Sequence, residues 1–269
     1  MLKDITFGQY VEVNSPVHRL DPRTKILLLL VNVVFLFLTE NLWSLLVCAL
    51  QIVLIMIASR IPVKMFFNNI KTILPIIIFT TLINLFYGSG DVLLNLFWGI
   101  AVTTGGIYRA VYMASRIILL IVLSSILTYT TTPNDITDAL ESLLSFLRIF
   151  GLRTAVHMLT MMMTIALRFI PTLIDETEKT MNAQKARGAD LESGRLFERI
   201  KALIPILIPL LISSVRRSYE LAESMQCRCY NGGVGRVRMK RLKFRLSDLL
   251  AAVIDLAFCG GMIAANILL

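Results

Sequence analysis

The chain has 269 residues, of which 56% are apolar, and a formal net charge of +9. Soluble domains reach only about 45–50% apolar residues, so the composition excludes an ordinary soluble globular protein and predicts an integral membrane protein. Because 16 basic and 8 acidic residues fall between positions 168 and 245, beside apolar segments, the positive charge favours a lipid bilayer over nucleic acid as the binding partner.

Apolar runs predict five membrane-spanning helices, since about 20 apolar residues cross about 30 Å of hydrocarbon. Three of the runs are long and uncharged, the first is shorter, and the last contains one acidic residue, Asp255. In chain order the runs are 26–39, 42–59, 72–90, 117–134 and 249–269. Residues 88–106 are predicted to form a partly apolar outer connection. The fold class predicted is an all-α integral membrane protein with about five transmembrane helices.

The positions of basic residues predict how the chain crosses the membrane. Arg19, Arg23 and Lys25 precede the first span and place the N-terminus in the cytoplasm. Five spans then place the C-terminus outside. The predicted domains are an N-terminal membrane domain of four spans (1–133), a cytoplasmic or interfacial coupling domain (134–245) and a C-terminal span (246–269).

Two long helices are predicted inside the 134–245 segment, each apolar at its start and polar towards its end. A short helix precedes them, with Thr132 as N-cap and Pro133 at its first position. The apolar, methionine-rich start of the first long helix, residues 155–170, is too short for a typical span and is predicted to be interfacial or packed. Its methionines fit either an adaptable docking surface or ordinary core. His157 is predicted to be a packed or interfacial histidine.

Two similar arginine motifs, 41 positions apart, end the two polar helix segments. The motifs are Ala186-Arg187-Gly188 and Cys227-Arg228-Cys229. Arginine is always charged and its planar guanidinium suits a carboxylate, while small neighbours allow a helix tip to approach a groove closely. The pair therefore predicts two matched docking points on a partner. An ordinary arginine at a helix C-terminus, favoured by the helix dipole, is the alternative.

Sequence signatures of catalysis are absent from the chain. It contains no phosphate-binding G-x-x-x-x-G-K-[ST] sequence, no H-E-x-x-H and no G-x-S-x-G. Cys48 and Cys259 lie in apolar runs, and the C-x-C pair of Cys227 and Cys229 has no histidine nearby, so neither a disulfide nor a metal site is predicted. The chain is predicted to be non-catalytic and to bind no cofactor.

Asp255 is the one acidic residue well inside a predicted span, and such residues are functional by default. An ion pathway is one interpretation. The favoured interpretation is a structural pair within the helix bundle, with Arg116 or Arg109 as the partner.

Several motifs in order make the whole chain resemble the transmembrane T component (EcfT family) of energy-coupling factor (ECF) transporters, importers of vitamins and metal ions. They are His18-Arg19-Leu20-Asp21-Pro22-Arg23-Thr24-Lys25, Thr131-Thr132-Pro133, Arg168-Phe169-Ile170-Pro171, Ala186-Arg187-Gly188 and Cys227-Arg228-Cys229-Tyr230. The usual second coupling motif of the family is Ala-Arg-Gly. The cysteines of this chain depart from it and predict a weaker or differently shaped contact there.

The resemblance implies a non-catalytic coupling subunit of an ABC-type transporter complex. Arg187 and Arg228 would each dock into one of two ABC-type ATPase subunits, which hydrolyse the ATP. A separate, small substrate-binding (S) subunit in the membrane would select the vitamin or metal ion. The main alternative function is a self-contained secondary transporter or channel, a class that usually shows inverted repeats of spans. A membrane enzyme is a third, weaker alternative, for which Asp255 and His157 are the only candidate catalytic residues.

Overall fold

The computed structural model describes residues 9–86, 92–96, 100–145, 153–189, 196–231 and 244–268. Within these residues the chain forms helices and one short hairpin. In chain order the elements are α1 (Pro22–Leu38), α2 (Leu42–Ser59), α3 (Val63–Phe86), β1 (Val92–Leu96), β2 (Ile100–Thr103), α4 (Thr104–Thr130), α5 (Pro133–Leu144), α6 (Arg153–Ala186), α7 (Leu196–Cys227) and α8 (Leu246–Leu268). The predicted all-α membrane fold is confirmed, apart from the hairpin.

The predicted spans correspond to α1, α2, α3, α4 and α8. The second prediction coincides with α2, whereas α3 and α4 begin well before the uncharged runs that predicted them. The difference has a simple cause, because Lys64, Lys71, Arg109 and Arg116 lie within these helices. A charged residue ends an apolar run without interrupting the backbone hydrogen bonding of a helix.

Five of the described helices are long and apolar enough to cross a membrane, judged by length and composition. They are α2, α3, α4, α8 and the stretch Thr154–Ala186 of α6. The start of α6 was predicted to be interfacial or packed rather than a span. The predicted first span, α1, is not among the five, because it has only 17 residues and is about 25 Å long at 1.5 Å per residue. Large apolar side chains remain exposed on these helices, among them Phe79 and Leu256, as expected of surfaces that face lipid.

The connection between α3 and α4 contains an antiparallel β-hairpin that the sequence analysis did not predict. Val92 of β1 pairs with Thr103 of β2, and Leu96 pairs with Ile100. Thr103 then begins α4, because its hydroxyl accepts a hydrogen bond from the Gly106 amide at 3.1 Å.

The described residues fall into two compact units. One contains those of Gly8–Ile136 and Arg241–Leu269, and the other contains those of Thr137–Lys240. The first unit has an apolar core contributed by α1, α2, α3, α4 and α8, with Leu36, Cys48, Ile52, Tyr129 and Met262 among its buried members.

The starts of α1 and α8 are joined through a single buried carboxylate. Asp21 caps α1 by accepting the Arg23 amide at 3.0 Å. Asp248, in the first turn of α8, accepts the Asp21 amide at 2.8 Å through Oδ1 and the Arg245 amide at 2.7 Å through Oδ2. The Asp21 amide lies just before α1, and the Arg245 amide lies just before α8. Because Asp248 accepts hydrogen bonds from both, it holds the starts of the two helices together.

The segment before α1 packs against the end of α4. The Val11 amide donates to the Tyr129 carbonyl at 3.0 Å. His18 contacts the Ser15 hydroxyl through Nδ1 at 2.6 Å and the Val11 carbonyl through Nε2 at 3.0 Å. Partial burial lowers the pKa of His18, and the nearby Lys25 acts in the same direction, while the hydrogen bond to Val11 opposes them.

Candidate coupling site

The predicted helix start at residue 133 is confirmed. The Thr132 hydroxyl accepts the Asp135 amide at 3.2 Å and lies 2.8 Å from the Asp135 carboxylate, so that Thr132 caps α5. The two long helices that follow are also confirmed, with 34 residues in α6 and 32 in α7.

Side-chain contacts show that α6 and α7 lie side by side and run antiparallel. Across the three contacts, positions progressively later on α6 meet positions progressively earlier on α7 or just after it. The contacts are Gln184 Nε2 to Pro205 O at 3.4 Å, Glu176 Oε2 to Arg217 Nη2 at 2.8 Å, and Tyr230 Oη to Met161 Sδ at 2.9 Å. Each helix therefore ends beside the apolar first half of the other.

Proline chemistry explains one of these contacts. Pro209 has no backbone N–H, so the Pro205 carbonyl one turn earlier lacks its usual helical donor. Gln184 of α6 supplies the missing hydrogen bond at 3.4 Å. An internal proline thus creates an acceptor that the neighbouring helix uses.

The first arginine motif forms the C-terminal cap of α6. The Gly188 amide donates to the Lys185 carbonyl, and the Ala189 amide donates to the Gln184 carbonyl, both at 3.0 Å. With Gly188 at φ 85°, this pattern is a Schellman motif in which Arg187 is the last residue before the left-handed position. The first motif therefore ends α6, as predicted.

The second arginine motif forms the same cap at the end of α7. The Cys229 amide donates to the Gln226 carbonyl at 2.9 Å, and the Tyr230 amide donates to the Met225 carbonyl at 3.0 Å. Cys229 takes the left-handed position with φ 52°, which is unusual for a residue that has a Cβ. Arg228 occupies the position that Arg187 has in α6.

The two arginines are therefore structurally equivalent. Both are exposed, both precede a residue with positive φ, and neither has an ion-pair partner among the described residues. The small residues around them, Ala186, Gly188, Cys227 and Cys229, are exposed as well. A Cβ added to Gly188 would meet no atom within 4 Å, so the space around this tip is open.

The antiparallel pairing places the two arginines at opposite ends of the α6–α7 pair. Arg187 lies three residues beyond Gln184, which contacts Pro205, and Pro205 lies 23 residues before Arg228. At 1.5 Å per residue, the two guanidinium-bearing positions are roughly 40 Å apart along the pair.

The first halves of α6 and α7 expose apolar side chains. Met158, Met162 and Met163 of α6 are 46%, 60% and 44% exposed. On α7, Leu207, Leu211 and Ile212 are each at least 60% exposed. The methionines were predicted to form either a docking surface or ordinary core. Within their unit, Met158, Met162 and Met163 are therefore not core residues.

The predicted pair of Asp255 with Arg116 is not formed. Asp255 Oδ1 instead accepts hydrogen bonds from Asn32 Nδ2 and Gln51 Nε2, both at 2.6 Å. Arg116 Nη2 donates to the Thr39 carbonyl at 2.6 Å and to the Tyr112 hydroxyl. The Thr39 carbonyl lies at the end of α1, where backbone acceptors lack helical donors and attract a cation.

Other predicted residues are placed as follows. Arg109, the second candidate partner of Asp255, is exposed on α4. His157 is half-buried and packs beside Glu141 of α5, with Nδ1 3.6 Å from the carboxylate, as predicted for a packed histidine. The sequence analysis did not identify Asn32 and Gln51 as the partners of Asp255. The available signal was an amide side chain inside a predicted apolar run.

Comparison with known proteins settles the family. Residues 13–240 match the CbiQ family model, described as "Cobalt transport protein". The chain is 48% identical over 259 residues to the energy-coupling factor transporter transmembrane protein EcfT of Ruminiclostridium cellulolyticum, covering 96% of both chains. The chain belongs to the EcfT family. Its EcfT relatives in Heliobacterium modesticaldum and Acidaminococcus fermentans are each 46% identical, over 94% and 96% of this chain and 94% and 95% of theirs.

Membership of the EcfT family confirms the resemblance predicted from the motifs. The chain is a multi-pass membrane protein and the transmembrane component of an energy-coupling factor transporter. Both arginine motifs lie within the matched residues 13–240.

Proposed function

We propose that Arg187 and Arg228 couple this EcfT-family chain to two ABC-type ATPase subunits, one arginine to each. The observation that carries the proposal is the shared cap pattern of the two arginines at opposite ends of an antiparallel helix pair. Two copies of one groove can each receive an arginine that is held in the same type of helix cap. A separation of roughly 40 Å gives each ATPase subunit its own tip.

The α6–α7 pair is suited to transmitting movement between such subunits. Two contacts connect the helices at different levels. Glu176 forms an ion pair with Arg217, and Gln184 donates a hydrogen bond to the Pro205 carbonyl. Displacing one tip therefore moves the apolar first half of the other helix. ATP hydrolysis belongs to the partner subunits, and the chain itself is non-catalytic.

The exposed apolar faces of α6 and α7 are the proposed docking surface for a small substrate-binding membrane subunit. Exposed methionine is suited to such a surface, because its side chain adapts to different partner shapes. That subunit selects the cargo, a vitamin or a metal ion. Residues 134–245 are proposed to lie in the cytoplasm or at the membrane interface, with the N-terminus inside and the C-terminus outside.

The coupling proposal is tested with Arg187→Glu, Arg228→Glu and the double variant in the reconstituted complex. Each single change is expected to weaken retention of ATPase subunits, and the double change to abolish both co-purification and ATP-dependent uptake. Removing a buried arginine from a docked interface costs about 2–5 kcal/mol, and the reversed charge adds repulsion.

Arg216→Glu is the matched control. Arg216 lies on α7 and is 82% exposed, but it is not at a helix tip. The control is expected to retain both ATPase subunits and uptake. Uptake at the wild-type rate in the double variant, or nucleotide-independent uptake by the chain alone in vesicles, would contradict the proposal.

A further inference from the structure

A cavity of about 410 Å³ lies within the unit formed by residues of Gly8–Ile136 and Arg241–Leu269. It is open on one side, where its lining residues Leu250 and Ile254 are 61% and 58% exposed. Side chains of α1, α2, α4 and α8 line it, and most of them are apolar, for example Leu29, Ile55, Leu123 and Ile254. Pockets that bind small molecules have volumes of roughly 300–1,000 Å³ and combine apolar walls with a few polar groups. The cavity has both properties.

One end of the cavity is marked by Lys25, in the first turn of α1. Its Nζ donates to the Thr130 carbonyl at 2.8 Å and to the His18 carbonyl at 3.3 Å. These bonds direct the ammonium group towards backbone carbonyls at the helix ends.

The other end is a buried polar cluster of Asn32, Gln51 and Asp255, which are 1%, 2% and 4% exposed. Gln51 Nε2 donates to Asn32 Oδ1 at 2.8 Å and to Asp255 Oδ1 at 2.6 Å. Asn32 Nδ2 donates to the same Asp255 oxygen. All three residues line the cavity.

Two oxygen atoms of this cluster have no hydrogen-bond partner among the described residues, Asp255 Oδ2 and Gln51 Oε1. Both are buried acceptors, and leaving such groups unsatisfied is costly. No cationic side chain of the described residues forms an ion pair with Asp255. The cluster is therefore complementary to a hydrogen-bond donor that carries positive charge.

We propose that the cavity binds an amphiphilic primary amine, with its ammonium group on Asp255 and Gln51 and its apolar body along the lining of α1, α2, α4 and α8. An ammonium group has three N–H donors and a positive charge, so it satisfies both open acceptors and compensates the buried carboxylate. The apolar body occupies the space towards Lys25, seven residues or about 10 Å along α1 from Asn32. This site is independent of the proposed coupling role.

The test uses the full chain in nanodiscs of zwitterionic phosphatidylcholine, which carries no net charge, and a trifluoromethyl-tagged n-octylamine, whose chain is about as long as the cavity. Binding is followed by ¹⁹F NMR, with empty nanodiscs measuring partition into lipid. Asp255→Asn keeps the side-chain shape but removes the charge, and is expected to weaken binding at least about tenfold. The equally long fluorinated alcohol is expected to bind the wild-type chain at least about tenfold more weakly than the amine.

A pair of variants in α8 separates the cavity from the lipid surface. Ala251 lines the cavity, whereas Ala264 is exposed and lies outside the lining. Ala251→Phe fills the space and is expected to abolish saturable binding, and Ala264→Phe is expected to leave it unchanged. Circular dichroism checks that each variant keeps its helix content.

Two results would overturn the inference. Equal binding of the amine to the wild-type chain, Asp255→Asn and Ala251→Phe would mean that the amine only partitions into lipid. Equal affinity of the alcohol and the amine for the wild-type chain would show that the charge of Asp255 does not recognise the ligand.

Discussion

Glu176 of α6 and Arg217 of α7 form an ion pair, with Oε2 and Nη2 separated by 2.8 Å. The Ser213 hydroxyl donates to the other oxygen of the same carboxylate. The side chains of Arg217 and Glu176 are 38% and 21% exposed, so water only partly screens their attraction. This contact connects the two helices between the arginine tips.

We expect Glu176→Gln to reduce ATP-dependent uptake while leaving ATPase co-purification intact, because the tips remain but the connection between their helices weakens. A double-mutant cycle with Arg217→Gln should give a coupling energy of about 1 kcal/mol. Uptake is measured in the reconstituted complex. The coupling energy is obtained from the free energies of unfolding of the wild-type chain, the two single variants and the double variant.

Glu220→Gln is the control for this prediction. Glu220 pairs with Arg216 on the same exposed surface of α7, at 3.4 Å, and links no second helix. Uptake should be unchanged in this variant. A loss of uptake equal to that of Glu176→Gln would contradict a role for the α6–α7 connection.

Cys229→Gly should stabilise the end of α7. Cys229 has φ 52°, a left-handed conformation that costs a residue with a Cβ about 1–2 kcal/mol and costs glycine almost nothing. Slower amide hydrogen exchange at positions 229 and 230, whose N–H groups close the cap, would report the change. Tighter docking of one ATPase subunit is expected to accompany it.

The reverse change at the end of α6 is a matched test. Gly188→Ala should destabilise the cap although nothing lies within 4 Å of the added Cβ, because the strain comes from φ 85° itself. Cys227→Ala, within the helix, should have little effect on either cap. Equal exchange rates in Cys229→Gly and the wild-type chain would contradict the strain argument.

The packing of the segment before α1 should depend on pH through His18. The pKa of His18 is lowered in the folded protein, mainly by burial, so the unfolded chain binds the proton more tightly. The stabilisation is therefore complete above the ordinary histidine pKa of about 6.5 and is lost as the pH falls through that value towards the lower folded pKa.

Hydrogen exchange of the Val11 amide, which donates to the Tyr129 carbonyl, measures this effect. We expect its protection to fall between neutral and mildly acidic pH in the wild-type chain. His18→Gln should remove the pH dependence, because glutamine does not titrate. Identical pH profiles for the two proteins would exclude His18 as the cause.

Asp248→Ala should destabilise the unit that contains α1 and α8. The change removes the acceptor of the Asp21 and Arg245 amides. An unpaired buried donor costs about 1–3 kcal/mol. Thermal unfolding followed by circular dichroism should show the loss, while Asp175→Ala, at an exposed position of α6, should leave the transition unchanged.

The family and the two arginine positions could be predicted from the sequence because both depend on local features. Apolar runs follow from the lack of hydrogen-bonding solvent in a bilayer, and helix ends follow from capping residues such as Gly188. The second cap was harder to predict, since Cys229 is a rare choice for a left-handed position.

The sequence by itself determined that this is a helical membrane protein with two arginine-tipped helices, because residue type and spacing decide solvation and caps. The tertiary structure alone decided that α6 and α7 pair antiparallel, and that Asp255 contacts Asn32 rather than Arg116. Asn32 and Asp255 are separated by 223 positions along the chain. Such contacts depend on how helices pack, and packing is a property of all the side chains in a bundle together rather than of any one segment.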